Sequence, residues 1–169
     1  SLGKLTGGGF EELARLYAKS GTSAISVLTD KKYFNGSVDY IARVRAIAPQ
    51  PILRKDFIID PYQVYESVLA GADAVLLIVA ALTQKKLGEL LALTGRLGLD
   101  ALVEVHSESE LEKALKAGAK IIGINNRNLK TLHINVRTTE KIMKSAPKGK
   151  TYVSESGISS KEDVLQVKA

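Results

Sequence analysis

A glutamate stands inside the apolar run Ala101-Leu-Val-Glu-Val105, and a lysine closes another, Pro51-Ile-Leu-Arg-Lys55. A charge buried in such a run costs several kcal/mol unless a partner compensates it. Two readings fit Glu104: an ion pair that holds the fold together, or a general acid or base. Its combination with Lys55 favours the catalytic reading for both. Two more polar residues end apolar runs, Asn125 after Ile121-Ile-Gly-Ile124 and Glu155 after Thr151-Tyr-Val-Ser154. An amide that donates and accepts, beside a carboxylate that accepts from hydroxyls, suits a polyhydroxylated substrate.

Strand parity sorts the neighbours of Lys55. Leu53, Lys55 and Phe57 share one face, so Lys55 and Phe57 line a common surface. Arg54 and Asp56 fall on the other face and are expected to pair against helices. Arg127 either orients Glu104 or Glu155 or is a surface cation. Ser156-Gly157 is read as the opening of a helix whose free N–H groups take a phosphate, or as a plain cap. His106 has the parity of Glu104 but lies further out, at a helix start, and His133 sits in a loop. Two histidines without ligand spacing give no metal site. The pairs Lys31-Lys32 and Lys85-Lys86 read as solvated surface, and Met143 as helix core.

A repeat positions these residues. Four times a helix ends at a glycine, a short turn follows and an apolar run begins. The glycines are Gly21, Gly71, Gly98 and Gly118. Glycine one residue past a helix takes a left-handed conformation that a Cβ would penalise. Two further runs, after Pro49 and Gly149, bring the expected strands to six, with seven helical segments between and around them. The runs are short and apolar on both faces, as in a parallel sheet covered by helices. Amphipathic stripes predict the cover: Phe10, Leu13, Ala14 and Tyr17; Leu87, Leu90, Leu91 and Thr94; Leu111, Ala114 and Leu115. Ser107 with Glu110 reads as a capping box, Asp60-Pro61 as an N-cap with proline at the first helical position, and Ser160 with Asp163 as another cap.

Strand–helix alternation implies right-handed parallel crossovers, hence a (β/α)₈ TIM barrel or a doubly wound sheet. No G-x-G-x-x-G loop follows a strand, which favours the barrel. Such a barrel has eight strands and about 250 residues, with chemistry at the strand C-termini. The 169 residues are therefore expected to form a single α/β barrel domain, incomplete at both ends. The first strand and the last strand–helix unit are absent from it. The chain opens at Ser1 and stops at Ala169 inside a helical pattern. If nothing follows Ala169, open sheet edges are expected to associate.

Composition excludes several classes. There is no cysteine, so disulfides, thiolate metal sites and cysteine nucleophiles are out. Tryptophan is absent and aromatics make up 5%, which argues against a stacking platform for nucleic acid. The net charge of +6 is spread over every helix and reads as solvated surface. The longest apolar run, Ala74 to Leu82, is far too short to span a membrane.

Several blocks together resemble indole-3-glycerol phosphate synthase. They are Ser23-Ala-Ile-Ser-Val-Leu-Thr-Asp30 with Tyr33-Phe-Asn-Gly-Ser37, Pro51-Ile-Leu-Arg-Lys-Asp-Phe57 with Asp60-Pro-Tyr-Gln63, Leu102-Val-Glu-Val-His106, Ile122-Gly-Ile-Asn-Asn-Arg127 and Ser154-Glu-Ser-Gly-Ile158. They stand in family order and spacing over essentially the whole chain. The resemblance implies a (β/α)₈ barrel lyase of tryptophan biosynthesis. That enzyme converts 1-(2-carboxyphenylamino)-1-deoxyribulose 5-phosphate to indole-3-glycerol phosphate with loss of CO₂ and water. It implies no cofactor, no metal, a small phosphorylated substrate, no nucleic acid or membrane partner, and a cytoplasmic location. By the same resemblance Lys55 is the general acid of ring closure and Glu104 the base. Asn125, Glu155 and Arg127 hold the substrate and assist dehydration. Phe34, Phe57, Leu76 and Leu129 wall the anthranilate ring, and Ser1, Ser156 and Gly157 belong to the phosphate site. The family's first strand carries a glutamate and a second catalytic lysine in a Glu-x-Lys-x-x-Ser-Pro-Ser pattern, of which this chain holds at most the tail. Its last strand carries a glycine–serine pair that is missing here. Competing readings are another phosphate-binding barrel enzyme, such as phosphoribosylanthranilate isomerase, and a non-catalytic barrel fragment.

Overall fold

A computed structural model of the chain describes residues 9–129 and 131–168. Ser1, assigned above to the phosphate site, lies outside the described residues. Helix α1 (Phe10–Lys19) leads into β1 (Ile25–Leu28), followed by the short α2 (Lys31–Phe34) and by α3 (Asp39–Arg45). Then come β2 (Ile52–Lys55), α4 (Pro61–Ala70), β3 (Ala74–Ile78), a 3₁₀ turn (Val79–Ala81) and α5 (Gln84–Arg96). The order closes with β4 (Asp100–Val105), α6 (Glu108–Lys116), β5 (Ile121–Asn125), α7 (Arg137–Met143), β6 (Thr151–Glu155) and α8 (Lys161–Lys168).

The six strands are all parallel and lie in sequence order, β1-β2-β3-β4-β5-β6. The sheet curls. Lys55 at the end of β2 lies 3.6 Å from Glu155 at the end of β6. Four strand spacings of a flat sheet would hold those strands about 19 Å apart. The six strands thus form an arc of a (β/α)₈ barrel, helices outside and lumen within. Within the described residues β1 and β6 each pair on one side only.

Local chemistry explains the elements. Gly21, Gly71, Gly98 and Gly118 all have φ between 76° and 88°, so each repeat ends its helix by the left-handed turn that its glycine permits. Asp60 and Gln63 complete a capping box at α4 with Pro61 at the first helical position. Ser160 and Asp163 satisfy each other's backbone N–H groups ahead of α8. Ser107 accepts from the Glu110 N–H, but the Glu110 side chain turns to the backbone N–H of His106 instead of closing a box. Eight α-helices are formed among the described residues where the sequence pattern suggested seven helical segments. The added one, α2, is a four-residue turn set by the Asp30 side chain accepting from the Tyr33 N–H, too short to show periodicity. Met143 is exposed rather than core. Ile142 occupies the buried position, one residue and about 100° round the helix.

The outer strand faces, including Val75, Leu77, Val103, Val105, Ile122 and Ile124, pack with Leu87, Leu90, Leu93, Leu111 and Ala114 of the helices. A smaller cluster joins Ala14, Ile25, Val27, Ile41, Val44 and Ile52. Between them sits a buried polar knot on the outer face of β2. Arg54 pairs with Asp56 at 2.9 Å and Glu66 at 2.8 Å, and donates to the Gln63 carbonyl and to the Thr29 and Ser67 hydroxyls. This is the Arg54–Asp56 pairing that parity predicts.

Removing one partner of a buried ion pair strands the other charge, at a cost of about 3–5 kcal/mol. Arg54→Ala should therefore lower the stability by about that amount. Urea unfolding would register it as a lower midpoint with an unchanged slope.

Candidate active site

The inner strand faces converge on a cleft of about 480 Å³ at the C-terminal end of the sheet. Ser26 and Leu28 come from β1, Lys55 from β2, Leu76 and Ile78 from β3, Glu104 from β4 and Asn125 from β5. Phe34, Phe57, Arg127, Leu129 and Ser156 reach in from the segments that follow the strands. Alternation along short strands does this: the residues of one parity build the outer core, and those of the other reach the lumen.

At its centre Lys55 Nζ stands 3.6 Å from an oxygen of Glu104 and 3.6 Å from one of Glu155. Glu104 is 2% exposed, Glu155 14% and Lys55 34%, so one buried and one largely buried carboxylate share a cation at the rim of the cleft. Oε1 of Glu104 and Oε1 of Glu155 carry no hydrogen bond among the described residues. Burial, and then the charge of Glu104, push the Glu155 carboxyl up to about 7 against the pull of Lys55. One carboxyl near neutrality beside a second carboxylate gives an acid and a base in one place.

The Glu155 position depends on a glycine. A Cβ at Gly123 would overlap Oε1 of Glu155 and stand 3.1 Å from its Cδ. Gly123 is paired in register with Glu104, and Asn125 with Glu155. The missing side chain thus opens the space in which the second carboxylate lies beside the first.

Around this centre the walls are apolar. Phe57 stacks on Phe34 with centroids 6.4 Å apart and meets Tyr33 edge-on at 5.8 Å. Leu76 is buried, while Phe34 and Leu129 are half exposed. Asn125 is buried, and its side-chain oxygen accepts from the Arg127 N–H at 3.0 Å, which fixes the turn after β5. The Arg127 side chain is exposed on the cleft wall, and among the described residues it forms no ion pair with Glu104 or Glu155. Orientation of either carboxylate by Arg127 is therefore absent from this geometry.

Ser156 and Gly157 do not open a helix. The N-cap of α8 is Ser160, and the two residues form a turn ahead of it with φ of 65° and 78°. A Cβ at Gly157 would overlap Ile134, so close packing of the preceding loop also demands glycine there. The Asn126 amide donates to the Ser156 carbonyl at 3.1 Å and ties this turn to the end of β5.

Sequence reasoning undervalued His106. Its Nε2 lies 3.4 Å from Glu104 Oε1, and its Nδ1 3.3 Å from Glu110. The signals were the shared parity of Glu104 and His106 and the i, i+4 spacing of His106 and Glu110. His133 is exposed in its loop, as expected. No helix among the described residues is long and apolar enough to cross a membrane.

The family model described as "Indole-3-glycerol phosphate synthase" matches residues 6–169. The indole-3-glycerol phosphate synthase of Caldanaerobacter subterraneus subsp. tengcongensis is 56% identical over 154 residues, covering 91% of this chain and 60% of that protein. That of Carboxydothermus hydrogenoformans is 55% identical over 157 residues, covering 91% and 59%. The chain thus spans about 60% of the length of the curated relatives it matches. Among solved structures, N-acetylmannosamine-6-phosphate 2-epimerase from Clostridium perfringens superposes with a TM-score of 0.74 at 13% identity, over 99% of this chain and 77% of that one. Thiamine phosphate pyrophosphorylase from Pyrococcus furiosus gives 0.71 at 18% identity, over 94% and 75%. At those identities the likeness is one of fold.

The raised Glu155 carboxyl has a stability consequence. Unfolded, the group ionises near 4.5, and folded at about 7. Stability is therefore lost as pH rises from about 4.5 to about 7, then levels off, a loss on the order of 3 kcal/mol. Glu155→Gln should abolish that slope, so its melting temperature should gain on the parent's across this interval. Gly123→Ala, which expels the carboxyl from its space, should flatten the same slope while leaving Glu155 in the chain. Calorimetric melting of the three proteins as a function of pH checks both.

Proposed function

Because the chain belongs to the indole-3-glycerol phosphate synthase family, we propose that it carries the ring-closing centre of that activity. The reaction is conversion of 1-(2-carboxyphenylamino)-1-deoxyribulose 5-phosphate to indole-3-glycerol phosphate with release of CO₂ and water. The observation that carries the proposal is the ammonium of Lys55, 3.6 Å from each of two carboxylates, Glu104 and Glu155, at the rim of an apolar-walled cleft.

The chemistry follows from that arrangement. Carbon–carbon bond formation needs the substrate carbonyl oxygen to gain a proton, and Lys55 is the cation aimed into the cleft to give it. Loss of CO₂ from the ring carbon restores aromaticity. Departure of water then needs a base to take a proton and an acid to protonate the leaving hydroxyl. Glu104 serves as the base. Glu155, with a carboxyl pushed up to about 7, serves as the acid. Asn125 and Arg127 hold the sugar hydroxyls, and Phe34, Phe57, Leu76 and Leu129 wall the aromatic ring. Ser156 and Gly157 bind the phosphate, with Ser1 as a further donor. Their N–H groups act from a left-handed turn rather than from a helix end. A cytoplasmic location, and association through the edges at β1 and β6 if no further strand pairs with them, belong to the same proposal.

In the full-length protein, Lys55→Ala should lower kcat by at least about 10²–10⁴-fold with little change in KM, because the contact strengthens in the transition state. Glu104→Gln should lower kcat with substrate binding largely kept. Appearance of indole fluorescence gives turnover, and melting of the same variants separates catalysis from structure. Turnover of Lys55→Ala within about threefold of the parent, with a lowered Tm, would mean that the Lys55–Glu104 pair is structural.

A further inference from the structure

Glu104 has two oxygens with different surroundings. Oε2 faces Lys55 across the lumen. Oε1 carries no hydrogen bond among the described residues and has the Nε2 of His106 at 3.4 Å. That nitrogen is also buried and without a hydrogen bond among the described residues. The imidazole is in turn gripped from behind. Its Nδ1 lies 3.3 Å from Glu110 Oε2, and the same oxygen accepts the backbone N–H of His106 at 2.8 Å. Side-chain exposure rises along the row, from 2% at Glu104 to 15% at His106 and 21% at Glu110.

Charge counting gives the row a purpose. Lys55 is shared at equal distance by two carboxylates, Glu104 and Glu155. With the Glu155 carboxyl pushed up to about 7, Lys55 serves chiefly Glu104, through Oε2, and Oε1 is left for a second partner on the other side. His106 occupies that place.

We propose that His106, oriented by Glu110, is a positioning residue that holds the Glu104 carboxylate and sets the pH range over which Glu104 acts as a base. The inference rests on the function proposed above and deepens it, since it concerns how that base is held. His106 and Glu110 do not touch the cleft. They act through Glu104.

The surroundings of His106 agree. Burial pulls the imidazole toward the neutral form, yet its pKa is net raised above 6.5 by the Glu110 hydrogen bond and by the charges of Glu104, Glu110 and Glu155. Burial likewise raises Glu110, and the hydrogen bonds from the His106 ring and backbone, with the charges of His106 and Lys113, bring it net below its usual value. The groups that face His106 are Glu104 of β4, Glu110 of α6 and Glu155 of β6, with Lys55 of β2 beyond Glu104. Arg137 and Lys141 of α7 share one outer cleft with it, alongside Glu108. His133 shares another. The three carboxylates favour the imidazolium, and the α7 cations stand on the solvent side.

A cation beside a carboxylate favours its ionised form, so losing it raises the proton affinity of that carboxylate. In the full-length protein, His106→Asn should therefore shift the acid limb of the kcat/KM profile upward by about one pH unit and lower kcat at neutral pH, with KM little changed. Glu110→Gln, at a more exposed position, should shift the limb the same way by less. Adding it to His106→Asn should have no further effect, because it acts through the imidazole. A merely structural pair would lower the melting temperature of both variants and leave the profile where it was. Acid limbs within about 0.3 pH unit of the parent in both single variants overturn the proposal.

A second readout needs no turnover. The chain has two histidines, so ring resonances are assigned by difference with His106→Asn. The His106 titration midpoint by NMR should lie above 6.5 in the parent and fall in both Glu110→Gln and Glu104→Gln. A midpoint indifferent to both substitutions overturns the row of contacts itself. A parent that makes no indole-3-glycerol phosphate yet shows those midpoint shifts would sink the function proposed above while upholding the held carboxylate.

Discussion

A glutamate in the middle of an apolar strand is the demand around which the lumen is organised. Glu104 is buried, and a carboxylate there is tolerable only with compensating charge close by. No residue of β4 supplies it within the lumen. Compensation comes from Lys55 of β2, and the same ammonium reaches Glu155 of β6. Those groups can meet only if the sheet curls. The curl in turn requires short strands, twist and helices packed along the outer face. Gly123 gives up its side chain so that Glu155 fits beside Glu104.

Adjacent residues on β2 show how one strand divides structure from chemistry. Arg54 points outward into a fully satisfied set of carboxylates, hydroxyls and a carbonyl. Its fork geometry uses several partners at once, which suits a fixed buried tie. Lys55 points inward, is a third exposed and stands at ion-pair distance from two carboxylates without close contact to either. A compact ammonium on a flexible stem can move toward a substrate and transfer a proton, which a guanidinium does not do. Two cations side by side in the sequence thus serve opposite purposes because the strand alternates.

The fold and the site carry separate information. The superposable solved structures share the barrel at 13% and 18% identity, and such a barrel supports many chemistries. Membership of the synthase family rests on the sequence match over residues 6–169. The reading of function rests on the charged centre and its aromatic wall.

Much of this was legible in the chain itself. The four helix-ending glycines, the apolar strands and the caps at Asp60 and Ser160 are local signals, so six strands, their order and the outward pairing of Arg54 with Asp56 followed from residue type and parity. Lys55, Glu104, Asn125 and Glu155 stood out because each is a polar residue at or near the end of an apolar run. Other features were not legible, because they depend on distances between segments far apart in sequence. Parity put His106 on the face of Glu104, but only the course of the chain into α6 brings its ring against that carboxylate with Glu110 behind it. Gly123 carries no signal of its own in the sequence, because its role comes from Glu155 lying over it. The residues Ser156-Gly157 suggested a helix start, whereas packing against Ile134 and the tie to Asn126 hold them in a turn ahead of the helix. Local propensity and alternation write the elements and their faces. Which inward residues share a charge is decided only by the curvature of the curled sheet, because electrostatic partnership is set by separation in space and not along the chain.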